Sequence, residues 1–292
     1  MSLAAAGAAL PAGLKARAPA GPGAKSRVGY QLLSWGRYYP LSWWEGCRDV
    51  AALGFKGVEG ESTIVDIYQG RREEFTGKMK DLSLQLAALY STSDLERTRE
   101  SYQNFAHNLQ AAEFLQAAGA RVLVIGGSES PPATDEAIRR LAGAGNDLGR
   151  QTLERYGVKV GFHPHLGSLI QHREDIGRLM EWTDPRYFFL APDTGHLAAG
   201  GSDPVEVFRT YTRRIVHTHL KDFNPDLPGF GGRLGRMAPL GQGTVDFPAL
   251  LGILREAGYD GWMDVEFDGL AAPKETAEAN RRYLVEKLKV EL

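Results

Sequence analysis

The stretch RVLVIGGSESPPATDEAIRRLAGAGNDLGRQTLERYGVKVGFH (121–163) contains one complete unit of the predicted fold. It begins with a β-rich run at 121–126, continues with a helical period over 134–156, and ends with a second β-rich run at 158–163. Gly157 separates the helix from the second strand, where glycine often ends a helix in the left-handed conformation. A strand, a helix and a strand in this order indicate a β/α/β unit with parallel strands.

The same alternation continues along the chain from Val28 onward. Helical periods occur at 42–53, 71–82, 98–118, 169–182, 203–212, 246–257 and 275–289. β-rich runs occur at 28–34, 56–60, 84–90, 121–126, 158–163, 187–192, 214–220 and 261–267. Eight β/α units in 292 residues favour one closed (β/α)8 TIM barrel over an open doubly wound sheet. We therefore expect residues 27–292 to form a single catalytic domain.

Two segments do not follow this alternation. Residues 1–26 are rich in Ala, Gly and Pro and lack the compact apolar run of a secretory signal, so we expect a disordered leader. Residues 222–245 (DFNPDLPGFGGRLGRMAPLGQGTV) follow the seventh strand as a long loop rich in Gly and Pro. Loops of this length in compact domains are usually functional or mobile, and this one is expected on the catalytic face.

Composition argues against several classes of protein. Lys and Arg total 34 against 36 Asp and Glu, so no basic excess indicates a nucleic-acid partner. Cys47 is the only cysteine, which excludes an intramolecular disulfide and a multi-Cys zinc cluster and fits a reducing, cytoplasmic location. No apolar run approaches the roughly 20 residues that span a bilayer. We expect a small-molecule substrate, with neither membrane nor nucleic acid as a partner.

Metal-binding residue types gather at the ends of the last four predicted strands. Five of the seven histidines lie at or just beyond strands five, six and seven, and the carboxyl ends of barrel strands build the active site. The segments GFHPHLG, APDTGH, VHTHLKD and MDVEFD each supply one ligand of the preferred set. That set is His163, Asp193, His219 and Glu266. Imidazole and carboxylate donors together suit one divalent ion, with Mn²⁺ or Co²⁺ favoured and Mg²⁺ or Zn²⁺ possible.

Two further histidines are candidates for proton transfer. His165 shares a face with His163 because of its i, i+2 spacing, and His196 follows Asp193 by three residues. Imidazole titrates near neutrality, so we assign His165 and His196 acid–base roles, with Glu266 as a base that also binds the metal. No phosphate-binding loop, dinucleotide fingerprint or nucleophile elbow occurs, and we expect no organic cofactor.

Six other residues are candidates for substrate binding, and most have a structural alternative. Glu59 and Glu61 could orient a polyol hydroxyl or cap the next helix, and Trp35 could stack on a sugar or be a buried aromatic. His217 could face the substrate or be a buried, hydrogen-bonded histidine. Lys221 and Arg233 could contact substrate oxygens, although Lys221 could equally pair with Asp222.

At these segments the chain resembles the xylose-isomerase-like barrels, the superfamily of sugar phosphate isomerases and epimerases. The resemblance is strongest to the inosose (2-keto-myo-inositol) dehydratases, and it runs from about Val28 to the C-terminus. The stretches that carry it are FHPHLGSLIQ (162–171), APDTGHLAAGGSDP (191–204), RIVHTHLKD (214–222), PLGQGTVDF (239–247) and GWMDVEFD (261–268).

The resemblance implies a divalent metal at the ligand set named above, with two departures. Many members have glutamate where this chain has His163, so either His163 replaces it or the other three ligands and water hold the metal. The dehydratases usually carry two glutamates in the last motif, and Asp268 stands at the second position.

The implied function is a lyase that removes a proton next to the carbonyl of a cyclic keto-polyol or oxidised sugar and eliminates water. One alternative is a ketose isomerase or epimerase of the same superfamily. A second is a hydrolase of the barrel endonuclease type, with several zinc ions and DNA. A third, from another class, is a non-catalytic barrel that binds a ligand or a partner. Fold-level analogy also allows a homo-oligomer.

Overall fold

A computed structural model describes residues 27–36, 41–96, 101–127, 133–229, 234–268 and 272–292. The predicted leader and Arg233 therefore lie outside the described residues. The barrel strands are β1 (Arg27–Gln31), β2 (Gly57–Glu61), β3 (Gln85–Thr92), β4 (Val122–Gly126), β5 (Lys159–Phe162), β6 (Phe188–Leu190), β7 (His217–Leu220) and β10 (Trp262–Val265). All eight predicted strands are present, each shifted or shortened by a few residues.

The helices follow the strands as predicted, with additions. They are α1 (Leu41–Ala52), α2 (Ile64–Tyr68), α3 (Arg72–Asp81), α4 (Ser101–Ala117), α5 (Asp135–Tyr156), α6 (Arg173–Trp182), α7 (Thr194–Ala199), α8 (Pro204–Tyr211), α9 (Phe247–Glu256) and α10 (Pro273–Arg282), the last continuing into a π-helical turn at Tyr283–Lys287. The short helices α2 and α7 were not expected. Gly157 has a positive φ, in agreement with its predicted place between helix and strand, and Gly54, Gly119 and Gly258, which also have positive φ, lie between a helix and a strand.

The eight strands form one parallel sheet in the order β6-β5-β4-β3-β2-β1-β10-β7. Two parallel bridges, Leu190 with Ile215 and Asp193 with His219, join its two edges. The result is the closed barrel that the sequence predicts, and the second bridge places two candidate ligands side by side. Among the helices that the structure describes, none combines the length and apolar character that a bilayer crossing needs.

The segment 222–245 was predicted to be a long loop after the seventh strand, and the structure adds a short ribbon to it. Its ends form a small antiparallel ribbon, β8 (Asp222–Phe223) with β9 (Met237–Ala238). The carboxylate of Asp222 accepts hydrogen bonds from the backbone N–H groups of Phe223, Gly241, Gly243 and Val245 at 2.8–3.1 Å. These bonds fasten the returning part of the loop to the end of β7.

Apolar and polar side chains divide between the two faces of the sheet. Leu220 and Val265 point outward into the core between strands and helices, whereas their neighbours His219 and Asp264 point into the barrel. Gly29 leaves room for this interior layer, because a Cβ there would lie 2.1 Å from Asp264 Oδ1. The barrel interior therefore holds buried charged groups, and they lie beneath the carboxyl-end mouth.

Candidate active site

The four predicted metal ligands meet at the carboxyl ends of neighbouring strands. One donor atom each from His163, Asp193 and His219 lies within 4.8 Å of the others. Glu266 joins them, with Oε2 at 2.6 Å from His219 Nδ1. All four side chains are buried, at 6% exposure or less.

The donor atoms of this group fit a divalent cation. His163 Nδ1 is buried and has no hydrogen-bond partner among the described residues, while Asp193 Oδ2, His219 Nδ1 and Glu266 Oε2 are buried and face one another. Buried polar atoms are normally hydrogen-bonded, and two nitrogen and two carboxylate donors form a set that Mn²⁺, Co²⁺ and Zn²⁺ accept. The residues present therefore fit a single metal ion.

Asp193 uses its two oxygens differently. Oδ1 accepts a hydrogen bond of 2.8 Å from the backbone N–H of His196 and caps α7, so the cap fixes the orientation of the carboxylate. Oδ2 points to the ligand group instead, 3.8 Å from His219 Nδ1. Burial raises the pKa of Asp193 to about 6, in spite of the nearby Lys221 ammonium.

Lys221 is fully buried beside the ligand group. Its Nζ lies 3.2 Å from Asp193 Oδ2, 3.0 Å from Glu266 Oε1 and 2.9 Å from Asp268 Oδ1. Burial alone would lower the pKa of Lys221, but these carboxylates outweigh it and hold the pKa well above its ordinary value. The alternative pairing with Asp222 is wrong, since that carboxylate binds the backbone of the 222–245 loop. Gly195 leaves space for the side chain of Lys221, because a Cβ atom at position 195 would lie 2.7 Å from that side chain.

The two predicted acid–base histidines lie together next to Lys221. The rings of His165 and His196 are 3.8 Å apart between centroids, and Lys221 Nζ lies 3.1 Å from His196 Nε2. Burial, reinforced by the Lys221 charge, lowers the pKa of both imidazoles. Both rings are therefore neutral near pH 7 and able to accept a proton.

His217 and Glu59 lie deeper in the barrel and are both fully buried. His217 Nε2 is 2.6 Å from Glu59 Oε2 and 3.2 Å from Asp264 Oδ2. Burial opposes the charged form of His217, but Glu59 and Asp264 outweigh it and raise the pKa to about 9. Burial likewise opposes ionisation of Glu59, yet His219 and His217 lower its pKa to about 2. Glu59 and His217, which were both predicted to contact substrate, thus form a buried ion pair.

Because of the His217 ion pair, we expect the stability of the metal-free protein to fall at alkaline pH. A pKa raised from 6.5 to about 9 stabilises the fold fully below pH 6.5, and this contribution is lost as the pH rises through 9. The loss is on the order of 3 kcal/mol. We expect urea unfolding from pH 6.5 to 9.5 to show a steeper loss in the wild type than in His217→Gln. If the unfolding free energies of the wild type and His217→Gln fell equally with rising pH, the raised pKa of His217 would be contradicted.

A cavity of about 190 Å³ opens beside the ligand group at the barrel mouth. It is lined by Gln31, Leu33, Glu61, Tyr90, Thr92, Gly127, His163, His165, Glu266 and Asp268. Of the predicted substrate contacts, Glu61 is thus brought to the cavity. Gln31, Tyr90 and Thr92 were missed: Gln31 lies within the predicted strand 28–34, Tyr90 ends the predicted strand 84–90, and Thr92 lies two residues beyond it.

Trp35 is placed elsewhere. Its indole N–H donates to Asp49 Oδ2 at 3.0 Å, and its ring meets Tyr30 edge to face at 5.6 Å. The ring packs on α1, where Gly46 approaches it closely, and it does not line the cavity. Trp35 is partly buried, and its contacts are those of an aromatic side chain that packs against α1 and Tyr30.

A larger cavity of about 590 Å³ lies at the opposite, amino end of the strands. Its walls include Phe75, Leu84, Leu86 and Trp262, and none of the candidate catalytic or metal-binding residues reaches it. In a (β/α)8 barrel the chemistry resides at the carboxyl ends. The smaller polar cavity is therefore the candidate active site.

Known proteins resemble this chain over most of its length. Inosose dehydratase of Clostridium botulinum (strain Alaska E43 / Type E3) is 31% identical, with 84% of this chain and 90% of that protein covered. Inosose dehydratase of Clostridium tetani (strain Massachusetts / E88) is 32% identical, with 82% and 87% covered.

Solved structures share the fold at lower sequence identity. A probable 3-DHS dehydratase, AsbF from Bacillus anthracis, superposes with a TM-score of 0.75 at 17% identity, covering 89% of this chain and 99% of that one. An IolI protein with a bound zinc atom superposes with a TM-score of 0.73 at 17% identity, covering 89% and 97%. The family model of the xylose isomerase-like TIM barrel matches residues 47–287. The chain therefore belongs to the xylose isomerase-like TIM-barrel family.

Proposed function

We propose that this protein is a divalent-metal-dependent lyase that removes water from a cyclic keto-polyol of the inosose type. The observation that carries the proposal is the four-donor group His163, Asp193, His219 and Glu266, which borders a polar cavity at the carboxyl ends of the strands. Relatives about 30% identical over nearly their full length are named inosose dehydratase, which supports the choice of substrate class.

The four donors would hold the metal, with Mn²⁺ or Co²⁺ favoured because the set mixes imidazole with carboxylate. When bound, such an ion polarises a carbonyl or hydroxyl oxygen and acidifies the adjacent C–H. Glu266 and His163 both border the cavity, so two of the four ligands face the space for the substrate. His163 occupies the position where many family members have glutamate, and its free, buried Nδ1 supports its role as a ligand.

Elimination also needs a base for the C–H proton and an acid for the leaving hydroxyl. His165 lines the cavity, and its lowered pKa leaves a neutral ring that accepts a proton. Behind it, His196 accepts a hydrogen bond from the Lys221 ammonium. The rings of His165 and His196 pack against each other, and the proton that His165 removes can return to the leaving hydroxyl, which departs as water. Glu61 and Asp268 line the cavity, which supports a role for them in binding polyol hydroxyls.

The reaction products distinguish the proposed lyase from the alternatives. We expect the manganese-loaded protein to convert 2-keto-myo-inositol into a product lighter by one water, detected by mass spectrometry. In deuterated water, substrate recovered early should carry solvent deuterium if proton removal precedes loss of the hydroxyl.

Other outcomes would point elsewhere. A product of unchanged mass from a ketohexose, with no water lost from any keto-inositol, would replace the lyase by an isomerase or epimerase. Turnover of neither class by the metal-loaded protein would favour a non-catalytic barrel. Binding of several zinc ions with salt-dependent DNA affinity would favour the hydrolytic alternative.

A further inference from the structure

Glu59 and Glu61 lie on the same strand and the same side of the sheet, but they contact different groups. Glu61 is partly exposed and lines the cavity at the barrel mouth. Glu59 lies one layer deeper, is fully buried and does not reach the cavity. A role in binding substrate therefore fits Glu61, whereas Glu59 cannot contact a substrate in the cavity and must have a different role.

The contacts of Glu59 are two imidazoles of β7. Its Oε2 lies 2.9 Å from His219 Nε2 and 2.6 Å from His217 Nε2. The other ring nitrogen of His219, Nδ1, faces Glu266 and Asp193 in the ligand group. A carboxylate that accepts the Nε2 proton of His219 leaves the lone pair on Nδ1 and holds the ring in one orientation.

His217 and Asp264 complete the arrangement on the inner side of Glu59. Asp264 Oδ2 lies 3.2 Å from His217 Nε2, so the imidazole of His217 stands between two carboxylates. All three residues are fully buried, where an unpaired carboxylate would be strongly destabilised. The contacts of His217 with both carboxylates thus hold Glu59 in one position in the barrel interior.

We propose that Glu59 is a positioning residue of the metal centre, which fixes the orientation and tautomer of His219, and that His217 and Asp264 hold Glu59 in place. This inference rests on the proposed function, because it requires His219 to bind the metal. Glu59 touches neither the cavity nor the ligand atoms and acts through His219.

Metal affinity of Glu59→Gln tests the inference, with Glu61→Gln as the matched control. Loss of such a supporting carboxylate typically weakens metal binding by roughly 10- to 100-fold. We expect this increase in the Kd for Co²⁺, and a shifted absorption spectrum of the bound cobalt, in Glu59→Gln. Glu61→Gln should keep the wild-type Kd and spectrum for Co²⁺ but raise the KM for the substrate.

The outcomes separate this inference from the proposed function. If the wild type bound no cobalt, the metal site itself would fail. If the wild type and Glu59→Gln bound cobalt with equal Kd and the same spectrum, only the role of Glu59 would be overturned. Should Glu59→Gln fold poorly, the triple variant Glu59→Gln/His217→Gln/Asp264→Asn removes all three buried charges together. The triple variant should show the same weakened binding, and a wild-type Kd there would overturn the inference.

Discussion

Asp193→Asn should abolish metal binding and activity while leaving the barrel folded. The amide oxygen can still accept the hydrogen bond from the backbone of His196, so the cap of α7 is kept. The oxygen that faces His219 becomes an NH₂ group, which cannot coordinate a cation. We expect the metal content of protein purified without added metal to fall from about one ion per chain to near zero. The rate should fall by about 10³-fold or more, which corresponds to about 4 kcal/mol of lost transition-state stabilisation.

Asp203→Asn is the matched control for this change. Asp203 caps the neighbouring helix α8 by accepting from the backbone N–H of Val205 at 2.8 Å, and it belongs to no candidate metal group. This variant should keep its metal and its rate. If Asp193→Asn kept one metal ion per chain, the ligand set would be wrong. If both variants lost metal equally, capping would explain the effect.

Lys221→Met should give opposite effects on metal binding and on catalysis. The ammonium of Lys221 pairs with Asp193 and Glu266, two of the four candidate ligands, and therefore opposes a second cation at the same place. Without it, we expect metal affinity to rise by roughly 10-fold or more, because two neighbouring cations repel by several kcal/mol in a buried site. The rate of the metal-saturated enzyme should fall by about 10²-fold or more, since the donor to His196 is lost.

The same variant should also be unstable without metal. Removing one partner of a buried ion pair typically costs about 3–5 kcal/mol, and here the carboxylates of Asp193, Glu266 and Asp268 are left close together. Urea unfolding of the metal-free and metal-loaded proteins measures this loss of unfolding free energy. The control is Lys56→Met, because Lys56 is exposed. A Lys221→Met protein with weaker metal binding and full activity would contradict the role given to this lysine.

The ligand group could be predicted from sequence because parallel strands bring their carboxyl ends to one edge. His163, Asp193, His219 and Glu266 each follow or end a β-rich run, so their strand positions alone place them together. The i, i+2 rule likewise put His217 and His219 on one face. The family resemblance, confirmed by the match over residues 47–287, strengthened the choice.

Depth within the barrel could not be predicted in the same way. Glu59 and Glu61 have the same parity on β2, and only the closed barrel shows that Glu59 lies beneath the mouth, paired with β7 at a sequence separation of 160 residues. The partners of Lys221 depend equally on closure, because Asp193, Glu266 and Asp268 come from two other strands. Trp35 follows β1 as expected, but its packing on α1 depends on helix contacts that the strand pattern does not encode.

Anomalous diffraction from crystals of the cobalt-loaded protein tests the metal centre most directly. We expect one peak per chain at the carboxyl-end mouth, about 2.0–2.2 Å from the coordinating nitrogen or oxygen atoms of His163, Asp193, His219 and Glu266. A peak in the neighbouring group His163, His165 and His196, or no peak at the mouth, would contradict it.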